Sequence, residues 1–428
     1  MIGRYDKVSG NNIEIKILGS GKEVGRAAIS VGRNGKYVLL DYGVNFDEKD
    51  NPVMPLPIAP KDVEALVLTH THLDHIGAAP LLYVSKNIRA FATELTRDAA
   101  RLMLEDFLKL SGYYLDFEIE EVNKLIDNIQ PVEHGHTVSA GQFLLSFFDS
   151  GHIQGSIGTI VDVDSTRILY TSDVNLMETK LVGPAKIDGL KADIVIIEST
   201  YGSTDHPPRI DVEKRFIDAV REVIENDGVV LVPSFSIGRG QEILSILIDN
   251  DIYPVRVDGM IRRASEISLM HRKFLRRPEL LEKAMEEYLF VRGWQDRRKA
   301  WKTPGVIVAS AGMLKGGPSR YYLRKIGKEK RNAVFLVSYQ AEGTPGREIL
   351  EKGGTSEIPK LESRLEWFDF SSHADSTSLI NILKRISNVQ TVILVHGEEE
   401  IQRFFADKVE KELGIKPIIP STGDTITL

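Results

Sequence analysis

Between Thr69 and His75 the chain reads Thr-His-Thr-His-Leu-Asp-His, which gathers His70, His72, Asp74 and His75 into one short stretch. Imidazole nitrogens and carboxylate oxygens suit borderline divalent cations such as zinc, and with no cysteine in the chain no thiolate competes for the role. A single histidine in a turn is ordinarily a hydrogen-bonded surface or core residue. Four ligand-type side chains in so short a run point to metal binding instead.

The elements that must hold these groups can be read around them. Ala65–Leu68 is short and apolar enough for a buried strand, and Ile76–Val84 reads as a helix start, so the four side chains are expected in a tight loop at a strand's carboxyl end. The same junction recurs. Phe143–Phe148 runs into Asp149-Ser-Gly-His152, Arg167–Thr171 into Ser172-Asp173, Ala192–Ile197 into Glu198, and Gln390–Val395 into His396. In a layered sheet such ends form one rim, where residues distant in sequence converge. Asp41, closing the strand Lys36–Leu40, either supports the histidine loop from behind or is a plain turn aspartate. His134 and His136 follow no buried strand and are not expected to be ligands.

At 428 residues the chain is longer than one ordinary domain, so two are expected. Apolar content of 42% and charged content of 27% describe a soluble globular protein. No apolar run reaches the length of a membrane span, and nothing near the N-terminus resembles a signal peptide. The lack of cysteine suits a cytoplasmic protein.

Charge is unevenly spread. Arg209–Arg331 carries 25 Lys+Arg against 17 Asp+Glu, an excess of +8, which leaves −15 for the rest of a chain whose net charge is −7. This fits a basic module joined to an acidic metal-binding one, and it equally fits solvated helix faces. From Tyr201 to about Phe368, helical stretches (Val212–Asn226, Gly238–Ile248) alternate with apolar strands (Gly228–Pro233, Ile252–Val257, Val306–Ser310, Ala333–Ser338), the pattern of a parallel α/β domain. Ligand-type strand ends resume at His396, so this domain reads as an insertion into the first.

Thr69–His75, together with Asp41, His152, Asp173 and His396, resembles the signature of the metallo-β-lactamase superfamily. Glu198 in Glu-Ser-Thr-Tyr-Gly, His373 in Phe-Ser-Ser-His-Ala-Asp and His396 in Val-His-Gly-Glu resemble three motifs of the β-CASP nucleases. Pro233–Glu242, Asp258-Gly-Met and Ala309–Leu314 are similar to the inserted β-CASP domain. The nearest resemblance is to archaeal nucleases of the cleavage and polyadenylation specificity factor type, in the short form without KH domains.

The resemblance implies an α/β fold, a metallo-β-lactamase αββα sandwich (residues 1–202 and 369–428) interrupted by a parallel α/β β-CASP domain (203–368). It implies two Zn2+ per chain, with Mn2+ as the alternative. One ion would be held by His70, His72 and His152, the other by Asp74, His75 and His396, with Asp173 between them. Such a pair activates water and stabilises the attacking and leaving oxygens of a phosphodiester. On this reading His373 gives the leaving oxygen its proton, Glu198 orients that ring, and Asp74 and Asp41 complete the catalytic set. A histidine at position 396 goes with RNA rather than DNA, so the expected partner is single-stranded RNA, cut mainly internally, with a homo-oligomer left open. Arg262, Arg263, Lys315, Ser319 and Arg320, with Arg297 and Arg298, are the expected RNA contacts. The rivals are a ribonuclease J-like 5′-exonuclease and a non-catalytic RNA-binding scaffold, and the loop Ser338–Arg347 resembles the internally cutting type.

Overall fold

The first described strand begins by alternating buried and half-exposed residues, and the two that follow are almost wholly buried. Ile13–Gly19 pairs antiparallel with Ala28–Arg33, which pairs with Lys36–Leu40. A computed structural model describes residues 12–428 of the chain, and the expectation of no signal peptide falls on residues outside that range. Val63–Val67, Ala90–Ala92 and Ile129–Pro131 extend this first sheet in parallel. Thr425–Thr427 closes its other edge against Ile13–Gly19, a pairing no local pattern announces.

A second sheet runs Thr391–Val395, Ile194–Glu198, Thr166–Tyr170, Ile157–Val163, Phe143–Asp149, Thr137–Ala140. Between the two sheets lies a dry core built from both, including Ile15, Val38, Val67 and Phe91 with Leu145, Val161, Ile196 and Ile393. Helices cover both outer faces. Leu104, Phe107, Val122 and Leu125 pack on the first sheet, and Leu379, Leu383, Phe405 and Val409 on the second, which completes an αββα sandwich. The helix Glu94–Ser111 starts where Thr93 accepts a hydrogen bond from the Thr96 amide, and Ser376–Arg385 starts where Asp375 accepts from Ser378.

After Glu198 the chain leaves the second sheet, and it returns at Thr391, the parallel neighbour of Ile194. The intervening residues build a third sheet, all parallel, in the order Leu289–Phe290, Val255–Asp258, Gly305–Ala309, Val229–Pro233, Ala333–Leu336, Arg364–Trp367. Its central strands are buried throughout, as expected where helices cover both faces. Phe235, Met260, Ala311 and Ser338, which follow four of these strands, line a cleft shared with the sandwich.

Two expectations shift. The ligand stretch is not all loop, because Leu73–Ile76 forms a helical turn that carries Asp74 and His75. The helix start expected over Ile76–Val84 is only the end of that turn followed by a short 3-10 helix, Ala79–Tyr83. Among the described residues no helix is long and apolar enough to cross a membrane.

An aromatic wedge joins the third sheet to the segment bearing His373. Phe216, on Arg209–Glu225, meets Phe335, Phe368 and Phe370 edge-on, with ring centroids 5.2–6.2 Å apart, and is fully buried. Phe216→Ala is therefore expected to cost ~3–5 kcal/mol, read from the urea midpoint of the transition that unfolds this unit. A cost below ~1 kcal/mol would show that the wedge does not hold the segment.

Candidate active site

Three strand ends turn inward through a residue in the left-handed region. Asp41, Ser172 and His396 have φ of +59°, +51° and +51°. For residues with a Cβ this conformation is costly, and it persists where surrounding packing imposes it. Here it bends the chain at the sandwich rim, so that Asp173 and His396 face the cluster around His70. Gly43 allows a close approach on the same rim, since a Cβ there would lie 1.8 Å from the Asp74 carbonyl oxygen.

His70 Nε2 stands 3.1 Å from His72 Nδ1, which stands 3.2 Å from His152 Nε2. Asp173 Oδ2 is 3.6 Å from His70 Nε2 and 3.5 Å from His152 Nε2. Four atoms placed tetrahedrally ~2.1 Å from one centre are ~3.4 Å apart, the spacing of a zinc shell. A second group adjoins it. Asp74 Oδ2 is 3.4 Å from His396 Nε2 and 4.0 Å from His75 Nε2, and His75 Nε2 is 3.3 Å from the same Asp173 Oδ2.

The hydrogen bonds behind these rings direct their lone pairs inward. His152 Nδ1 donates to the Ser372 carbonyl at 2.9 Å, His75 Nδ1 to Asp41 at 2.8 Å and His70 Nδ1 to the Thr69 hydroxyl at 3.2 Å. His396 Nδ1 donates to Thr200, whose own hydroxyl donates to the His396 carbonyl. Burial first, then the neighbouring imidazoles, pushes His70 and His152 well below the usual histidine range, and burial takes His72 down to about 4. Neutral rings aiming lone pairs at one another and at a carboxylate repel unless a cation lies among them. His75 Nε2 and Asp173 Oδ1 are buried and have no hydrogen-bond partner among the described residues. The donor set fits two divalent cations.

Asp41 does not reach this centre. It is fully buried and accepts from the Thr69 amide and hydroxyl, His75 Nδ1 and the Tyr170 hydroxyl. Sequence left its role open and grouped it with the catalytic residues, but the structure makes it a support for the ligands.

Glu198 is buried and accepts from the Val174 amide at 2.8 Å and from His373 Nδ1 at 2.9 Å. Nε2 of His373 stands 3.9 Å from Asp173 Oδ2, and the ring packs 4.5 Å from that of His152. Burial opposes the charged ring, but Glu198 and then Asp173 outweigh it and push His373 up to about 9. His134 and His136 are exposed and belong to none of the ligand-type groups.

A cavity of about 430 Å³ opens over the centre, lined by His72, Asp74, His152, Asp173, His373 and His396 from the sandwich and by Phe235, Arg239, Ser338 and Tyr339 from the third-sheet unit. The residues expected to contact RNA lie outside this wall. Arg262 and Arg263 are exposed and paired with Glu266, Arg320 with Glu357, Lys315 with Asp50 and Arg297 with Asp258. Ser319 is fully buried and donates to the Ala311 carbonyl, so it cannot line the cleft. Exposed charge had marked these positions, and each paired cation found an acid nearby. Sequence reading missed Arg239, the sole Lys or Arg among the lining residues, although it lies inside the noted stretch Pro233–Glu242. It also missed His206, which bridges Asp369 and the His373 carbonyl.

Three family models match successive parts of the chain: the metallo-beta-lactamase superfamily over residues 24–216, the Beta-Casp domain over 241–349, and the Zn-dependent metallo-hydrolase RNA specificity domain over 358–420. The chain is 48% identical to "RNase aCSPSF2" of Saccharolobus solfataricus, across 99% of this chain and 87% of that protein. It is 34% identical to "Probable RNase MJ4" of Methanocaldococcus jannaschii, across 97% and 100%. "Transcription termination factor FttA" of the same organism is 30% identical, across 97% and 71%. A crystal structure of a protein of unknown function from Enterococcus faecalis shares the fold at a TM-score of 0.62 and 12% identity, covering 97% of this chain and all of that one.

Proposed function

This chain belongs to the β-CASP ribonucleases of the metallo-β-lactamase superfamily, metal-dependent phosphodiester hydrolases, and on that premise we propose that it cleaves single-stranded RNA internally with two zinc ions. The observation that carries the reading is the pair of adjoining ligand groups, His70–His72–His152–Asp173 and Asp74–His75–His396, with Asp173 Oδ2 also 3.3 Å from His75 Nε2 of the second. His70, His72 and His152 would hold one cation and Asp74, His75 and His396 the other, with Asp173 common to both. Bound there, the cations supply a nucleophile at neutral pH and offset the charge that builds on the phosphate.

The chain's own residues do the rest. His373 carries its proton on Nε2, the edge turned toward Asp173, where a leaving oxygen would need it. Glu198 accepts the hydrogen bond from Nδ1–H and favours the charged imidazole. Asp41, Thr69 and Thr200 fix the ligand rings. We take residues 1–202 and 369–428 as one domain interrupted by 203–368, supported by the chain's departure at Glu198 and its return beside that strand at Thr391.

Incubating purified protein with a circular and a 5′-labelled linear RNA, with and without chelator, tests the function. Cleavage of the circle to a linear product that the chelator abolishes is the expected result. An intact circle beside release of the 5′ label as a mononucleotide from the linear RNA would establish 5′-exonucleolysis instead, and cleavage indifferent to chelator would overturn the metal reading. Asp41→Asn, which weakens the hold on His75 without touching the cleft, is expected to lower metal affinity by ~10–100-fold in competition with a chromophoric chelator. Unchanged affinity would remove Asp41 from the ligand support.

A further inference from the structure

Arg239 opens the helix Arg239–Asp249, directly behind the polar loop that follows the strand Val229–Pro233. Gly238 makes the turn at φ +78°, where a Cβ would lie 2.6 Å from Ile153, so the loop is pressed against the sandwich. The arginine is only 9% exposed, and its Nε has no hydrogen-bond partner among the described residues. The carboxylates in its neighbourhood are engaged elsewhere. Glu242 accepts from the Lys180 and Leu181 amides and from Arg209, and Asp369 accepts from His206 and the Ser371 amide. Burial first, then the charge of Arg209, draws the guanidinium down to about 10, so it remains a cation at neutral pH.

A guanidinium offers five donors in a planar fork, and burying it without an acceptor is expensive unless an anion arrives. Packing alone does not explain the choice, since a leucine or methionine would fill the space without a charge. Arg239 lies in the cleft wall with His373 and Asp173, and so does Ser338, whose hydroxyl is likewise buried and without a partner. Two residues that line the same cleft as His373 and Asp173, each keeping a buried donor without a partner, describe a place for phosphate oxygens.

We propose that Arg239, assisted by Ser338, binds a phosphate group of the RNA strand beside the one being cut. The site sets where the strand lies over the His373 edge. This rests on the RNA-hydrolase reading above. The phosphate belongs either to an internal linkage or to the strand's 5′ end, and the chemistry of recognition is the same.

The test uses the full chain, with wild type and Arg239→Gln compared on one RNA oligonucleotide. The oligonucleotide is made with a single uncharged methylphosphonate at each linkage in turn, and with a 5′-hydroxyl or 5′-monophosphate end. Arg239→Gln is expected to raise KM by ~10–100-fold with metal content unchanged. Neutralising one particular phosphate should then raise KM for wild type but not for the variant. Loss of the difference at an internal linkage assigns the site to the backbone, and loss with the 5′-hydroxyl assigns it to the strand end. Penalties that simply add at every position would overturn the proposal. If the glutamine variant fails to fold, Arg239→Lys, which keeps charge but not the fork, is expected to raise KM severalfold with the same position dependence, and unaltered KM would overturn the proposal. Wild-type protein that cleaves no RNA would sink the underlying function instead, a result distinct from either.

Discussion

Replacing Asp173 by alanine is expected to lower kcat on single-stranded RNA by ~10⁴-fold or more and to leave the protein short of its full metal content. Its carboxylate lies between the two ligand groups, with Oδ2 3.3 Å from His75 Nε2, 3.5 Å from His152 Nε2 and 3.6 Å from His70 Nε2. It is also fully buried, and the imidazoles His75 and His396 hold it well below the usual carboxylate range, after burial that acts the other way. Removing it leaves several neutral rings converging on a void, with no negative charge to balance a divalent ion. The cation pair is asked to supply several kcal/mol of charge stabilisation and the nucleophile itself, and 1.36 kcal/mol is a decade of rate. Elemental analysis of the purified variant beside a single-turnover assay checks both halves. Full metal content with wild-type turnover would dismiss the bridging assignment.

His373→Ala is expected to cut kcat by ~10²–10⁴-fold while metal content stays at the wild-type level, because a general acid is removed and no ligand is lost. The ring meets the ligand set only at its edge, 3.9 Å from Asp173 and tilted against His152, and its own hydrogen bond runs to Glu198. Glu198→Gln should show a smaller loss in the same direction, since a neutral amide still positions the ring but no longer favours its charge. A substrate whose leaving oxygen needs no proton, such as a phosphorothiolate with a sulfur leaving group, should restore most of the His373→Ala loss. If it restores nothing, the residue acts through structure and not through proton donation.

Much of this centre was legible in sequence because it repeats one local rule, an apolar strand followed by a ligand-type side chain. His70, His152, Asp173, Glu198 and His396 each obey it, and the sheet topology brings those strand ends to one rim. What was not legible depends on backbone or tertiary detail. The left-handed residues Ser172 and His396 have no glycine to betray them, so the inward turn of those strands could not be foreseen. Asp74 and His75 sit on a helical turn too short to show periodicity. The expected RNA contacts fall outside the cleft wall for a physical reason, since they were chosen from exposed cationic runs. Glu266 pairs with Arg262 and Arg263 at helical spacing, which the sequence does contain. The partners of Arg320 and Lys315, Glu357 and Asp50, come from elsewhere in the fold. Arg239 drew no notice because a lone arginine among small and polar residues carries no charge pattern, and only burial without a partner distinguishes it.

Anomalous X-ray scattering from crystals of the zinc-loaded protein, recorded on both sides of the zinc absorption edge, bears most directly on the centre. The account predicts two peaks, one among His70, His72 and His152 and the other among Asp74, His75 and His396, with Asp173 touching both. No peak there, or ions bound only at the surface, would contradict it.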